Sequence, residues 1–102
     1  MAMLHTVNKS PFERNTLNSC IAMAKSGSSV LLIEDGIFAA LKGTTVSDKV
    51  SKAMESVTFY VLGPDLTARG MTEDQVIDGI KVVDYAGFVD LTAEHENFQA
   101  WL

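Results

Sequence analysis

The sequence predicts an α/β domain built on a predominantly parallel sheet of four to five strands with helices on both faces. Three observations carry that expectation. Short apolar runs at 4–7, 29–33, 57–62 and 80–83 alternate with segments of helical character. No tight hairpin turn joins one run to the next, so successive strands need crossovers and run parallel. The run Ser29–Ile33, SVLLI, is apolar almost throughout, as a strand covered on both faces requires. A chain of 102 residues corresponds to one domain, 1–102, with no repeat, low-complexity stretch or linker.

Taken in order, Leu4–Val7 reads as a short first strand. Ser10, Pro11 and Glu13 resemble a capping box with proline at the first helical position, which predicts a helix over 11–26 stopped by Gly27. Ser29–Ile33 is the second strand. Glu34-Asp35-Gly36 turns into a short helix, IFAALK, ended by Gly43. Ser47 caps a helix with Val50, Ala53 and Met54 on one face. Val57–Leu62 is the third strand, broken by Gly63-Pro64-Asp65, which opens a short helical turn closed by Arg69-Gly70. Thr72 and Gln75 form a second capping box before a helix ended by Gly79. Ile80–Val83 is the fourth strand. Asp84 caps a last helix whose Phe88, Leu91, His95 and Phe98 share one face, and the apolar end Trp101-Leu102 docks onto the body.

Composition narrows the function. Hydrophobic residues make up 47% of the chain and mean hydropathy is +0.16, apolar for a domain with so much surface relative to its volume. The surplus is best placed against another chain. Eight Lys and Arg against thirteen Asp and Glu leave a net charge of −5, and the cations are scattered singly, so direct nucleic-acid binding is not expected. A single cysteine makes neither an internal disulfide nor a zinc site. With no membrane-spanning apolar stretch and no signal-peptide core, the expected location is cytoplasmic.

Cys20 is the strongest nucleophile and the candidate site residue. On a helix over 11–26 it falls within the apolar arc formed by Phe12, Leu17, Ile21, Met23 and Ala24, where an unpaired cysteine serves as a small buried hydrophobe. No Lys, Arg or His stands one helical turn away to favour the thiolate, and the helix start is distant. A C-x-x-C dithiol is absent, which leaves persulfide chemistry on one sulfur. His5 and His95 lack partners at metal-ligand spacing and read as packing or interface residues. Glu34-Asp35 after a buried strand is either a divalent-cation pair of phospho-receiver type or a helix cap, Asp35 accepting helix N–H bonds with Glu34 solvated; the cap is favoured. The first strand–helix junction, VNKSPF, has no glycine with which to approach a pyrophosphate, so no cofactor is expected.

The stretches LHTVNKSPFERNTL, VLLIEDGIFAALKG, YVLGPDLTARG and VVDYAGFVDLTAEHENFQAWL, in this order and over the whole chain, resemble the DsrH/TusB family of sulfur-relay proteins. SPFERN and GPDLTARG look closer to the DsrH branch, of intracellular sulfur oxidation, than to the TusB branch, of tRNA wobble-uridine thiolation. The resemblance implies the three-layer sandwich of the DsrE, DsrF and DsrH proteins. It also implies a cytoplasmic heterohexamer with two copies each of this chain and of DsrE-like and DsrF-like sister subunits. Such a complex passes sulfane sulfur as cysteine persulfide towards a DsrC-like carrier protein. The principal sulfur-accepting cysteine belongs to a sister subunit. DsrH-type sequences carry a cysteine in the first helix, matched by Cys20, which makes it a candidate persulfide carrier; the alternative is an architectural subunit in which Cys20 only packs.

Overall fold

Five parallel strands in the order β4-β3-β2-β1-β5 form the central sheet of the computed structural model, which describes residues 3–101. They are β1 (Met3–Val7), β2 (Ser29–Leu32), β3 (Thr58–Leu62), β4 (Lys81–Val83) and β5 (Asn97–Trp101). The helices are α1 (Thr16–Met23), α2 (Ser47–Ala53), α3 (Gly63–Ala68) and α4 (Tyr85–Glu94), with 3-10 segments at Glu34–Ala40 and Glu73–Gln75. β2 is buried at every position, as its unbroken apolar sequence requires of a strand with neighbours on both sides and packing on both faces.

The sheet separates two unequal cores. On one side Val7, Val30, Leu32, Phe59 and Val61 meet Leu17 and Cys20 of α1, Ile37 and Ala40 of the first 3-10 segment, Val50 of α2 and Leu66 of α3. On the other, Leu4 and Leu31 meet Leu91 and Phe88 of α4. Asp84 caps α4 as expected, its carboxylate accepting from the Gly87 amide at 2.8 Å. The Thr72–Gln75 capping box also forms. Gly63-Pro64-Asp65 opens α3, and Arg69 and Gly70, the latter at φ +75°, close it.

Five local expectations are corrected. Ser47 does not cap α2: it is the first residue of the helix, and its hydroxyl donates to Thr44 O at 2.9 Å. The first helix begins at Thr16, not Pro11, because the Ser10 hydroxyl and carbonyl hold residues 11–13 in a separate turn: Phe12 N–H donates to Ser10 Oγ at 3.2 Å, and Arg14 N–H to Ser10 O at 3.1 Å. Residues 34–40 wind as 3-10 rather than α. There Gly36 lies so close beneath β1 that a Cβ would sit 2.1 Å from the Val7 carbonyl oxygen. The Thr72 box starts only one turn; Val76 then extends and bridges Leu41, and the Ile77 amide donates to Ala40 O at 2.8 Å. α4 stops at Glu94, so Phe98 is not on its face, and 97–101 pair with β1 as the fifth strand. Trp101 docks as expected, whereas Leu102 lies outside the described residues.

Candidate functional site

Cys20 is the fifth residue of α1 and has no exposed surface. Leu17 places it one turn along the same buried face, and the surrounding core is aliphatic and aromatic. Desolvation is the cause that moves its thiol: with no water around a thiolate, the pKa is pushed up to about 12. The expected arc around it holds in part. Leu17 is buried with it and Ile21 and Ala24 pack against the same core, but Phe12 and Met23 face out. In this position the sulfur is enclosed by the core, and burial disfavours its thiolate form.

The two histidines do different work from Cys20. His5, in the middle of β1, is 3% exposed, and its Nδ1 accepts the indole N–H of Trp101 at 3.0 Å. An indole nitrogen only donates, so Nδ1 is the unprotonated nitrogen, and burial lowers the His5 pKa from 6.5. The contact ties the last strand to the first through side chains as well as backbone. His95, just past α4, bonds Leu91 O through Nδ1 at 2.7 Å and Ser29 Oγ through Nε2 at 3.0 Å. It pins the end of the helix to the start of β2. Residue spacing reveals neither the His5–Trp101 nor the His95–Ser29 pairing, because in each the partners lie far apart in the chain.

Asp35 does not cap the segment that follows, whereas Glu34 is exposed as expected. Asp35 Oδ1 accepts from Arg69 Nε at 2.9 Å, an ion pair at the carboxyl end of the sheet. Glu34, at φ +49°, is held in that left-handed conformation by its own amide, which donates to Asp65 Oδ2 at 2.6 Å. The Asp35 carboxylate and the Glu34 amide thus tie this segment to Arg69 and Asp65 at the two ends of α3. Among the described residues no group of three or more His, Cys, Asp or Glu is placed to hold a metal ion. A cleft of about 330 Å³ opens near the amino ends of β1 and β5, with His5, Met23, Lys25, Ser28 and Gln99 in its wall. Among the described residues no helix is long and apolar enough to cross a membrane.

Comparison with known proteins places the chain. The family model described as DsrH like protein matches residues 9–98. Protein TusB of Pectobacterium parmentieri is 40% identical over 100 residues, which span 97% of this chain and all of that protein. Protein TusB of Escherichia coli K12 is 34% identical over 99 residues with the same coverage. Among solved structures, the ychN protein of E. coli superposes with a TM-score of 0.82 at 13% identity, covering 98% of both chains. A protein of unknown function from Methanobacterium thermoautotrophicum superposes with a TM-score of 0.77 at 18% identity, covering 97% of both. These two likenesses show the fold: the parallel sheet and its helical layers recur end to end. By the family model and by full-length relatives well above 30% identity, the chain belongs to the DsrH/TusB family of sulfur-relay components.

Proposed function

We propose that this chain is a TusB-type subunit of a sulfur-relay complex that serves thiolation of the tRNA wobble uridine, and that its part in the complex is architectural. The observation that carries the branch is the full-length identity of 34–40% to proteins named TusB, which outweighs the short SPFERN and GPDLTARG likenesses favouring the sulfur-oxidation branch. The burial of Cys20 supports the architectural role. Persulfide transfer requires a thiolate to reach the outer sulfur of an incoming persulfide and then to be reached by the next thiolate. A core thiol with its pKa pushed up to about 12 satisfies neither condition. The sulfur then travels on a sister subunit of DsrE type and leaves for a small DsrC-like carrier, while this chain and a DsrF-like subunit complete the assembly.

The test is intact-mass spectrometry of the co-expressed complex after exposure to a persulfide donor, alongside wobble-uridine thiolation in cells lacking this chain. The expected results are sulfur adducts on a sister subunit and none on this chain, with reduced tRNA thiolation in the deletion strain restored equally by wild type and Cys20→Ala. An adduct on this chain that disappears in Cys20→Ala would make Cys20 a relay station. Unchanged tRNA thiolation with impaired sulfur oxidation would return the chain to the DsrH branch.

A further inference from the structure

Five strands about 4.8 Å apart make a sheet roughly 20 Å wide, and a helix is about 10 Å across, so one helix covers about half of such a face. α4 is the helix packed on the Leu4–Leu31 side. Its layer therefore leaves part of the sheet open. Phe98 pairs in register with Leu4, so its side chain lies on that same side, at the β5 edge, and is 52% exposed. Tyr85 and Val89, one turn apart on α4, are 60% and 65% exposed. Ala86, Ala93 and Ala100 are exposed on the same helix and strand. Most of the large apolar side chains left in solvent thus belong to one layer of the molecule.

Charge distinguishes what covers it. Residues 84–102 contain the acids Asp84, Asp90, Glu94 and Glu96 and no Lys or Arg, although Lys and Arg together number 8 in the chain. All four acids are exposed. Lys81, a cation of this face, sits over the Tyr60 ring near the opposite edge, 5.8 Å from its centroid. A second copy meeting this surface about a two-fold axis would bring acidic rim against acidic rim. A different chain with basic residues around an apolar ridge meets no such penalty.

We infer that the α4–β5 surface is the docking face for a different protein chain, one that presents an apolar ridge bordered by Lys and Arg. The inference rests on the subunit reading above and assigns it a surface and a partner chemistry. It is tested in the complex co-expressed with the DsrE-like and DsrF-like subunits, by size exclusion, native mass spectrometry and hydrogen exchange. Val89→Ser/Phe98→Ser is expected to weaken assembly about tenfold or more, since truncation at an interface centre has effects of that order, and, separately, Asp90→Lys/Glu94→Lys, on the acidic rim, to weaken assembly and reduce its salt dependence. Phe12→Ser/Met23→Ser, at exposed apolar positions outside α4 and β5, leaves assembly unchanged. Wild-type association weakens as salt rises from about 50 to about 500 mM. Amides of residues 85–101 gain protection in the wild-type complex, a readout independent of any variant's folding. Wild-type assembly without that protection, or equal assembly by both α4–β5 variants, overturns the surface assignment and leaves the subunit reading standing. A wild-type chain that stays alone overturns both. A homodimer abolished by Val89→Ser/Phe98→Ser overturns the assignment to a different chain.

Discussion

Thiol labelling of Cys20 is the sharpest probe of the site, because both routes to the sulfur are slowed by about a thousandfold or more. At about pH 7.5 a free thiol with a pKa of 9.0 is roughly 3% thiolate, whereas one pushed up to about 12 is thiolate in roughly 3 molecules per 100,000. Attack in place is therefore slowed about a thousandfold by protonation alone. The alternative route runs through transient opening of the core, where the thiol regains ordinary reactivity. Its rate is scaled by the open population, on the order of 10⁻³ to 10⁻⁶. Either way a disulfide reagent should modify the native chain at least about a thousand times more slowly than a cysteine peptide. Urea should accelerate labelling in step with unfolding. Cys20→Ser places a hydroxyl in the same apolar surroundings and should cost about 1–3 kcal/mol unless it bonds back to the helix, a Tm loss of roughly 4–20 °C for a chain of this length. Native labelling within about tenfold of the peptide, with urea dependence absent, would refute the picture of a dry, sealed sulfur.

The remaining expectations concern stability. Burial holds His5 neutral with its pKa below 6.5, so the unfolded chain binds more protons than the folded one on acidification. The stability due to neutral His5 is complete above about pH 6.5, falls as pH drops below that value and levels off beneath the folded pKa; in chemical-denaturation titrations His5→Asn, whose amide oxygen can still accept from Trp101, should flatten that fall. Trp101→Phe removes the donor to His5 and should cost about 1 kcal/mol, read as a lower urea midpoint at unchanged slope. Gly36→Ala would drive a methyl group to 2.1 Å from a backbone oxygen and should destabilise by about 3 kcal/mol, visible in thermal melts, because the obstacle is main chain and not a movable side chain. Asp84→Ala should cost about 1 kcal/mol through loss of the α4 cap, with Asp84→Asn restoring most of it.

The parts of the fold legible in the sequence are those fixed by short-range chemistry. SVLLI could only be a strand covered on both faces, GPD could only break a strand and start a turn, and Asp84 and Thr72 stand where helical amides need acceptors. The misreadings have a common cause in local signals shared by two structures. Ser10-Pro11 begins a helix or a lone turn equally well, and only the course of the chain out of β1 selects the turn. Phe98 continues the helical spacing of α4, yet Asn97-Phe98-Gln99-Ala100 also alternates polar and apolar, and the vacant edge of β1 selects the strand. The acidic pair looked like a cap until Arg69, distant in sequence, supplied the partner for Asp35. The apolar face that holds Cys20 is legible in the sequence. The pKa of Cys20 followed from burial, which a helical projection suggests but cannot measure.

The pairing of β5 with β1 also orders events in time. Met3 lies beside Asn97 and Val7 beside Trp101, so β1 acquires its outer neighbour only after β2, β3, β4 and α4 have all been synthesised. Until then the β1 edge presents an unpaired row of amides and carbonyls, available to any strand that drifts past. Nascent or prematurely terminated chains ending near Glu94 would keep that edge permanently, and they should be the aggregation-prone species in cells that make this protein in excess.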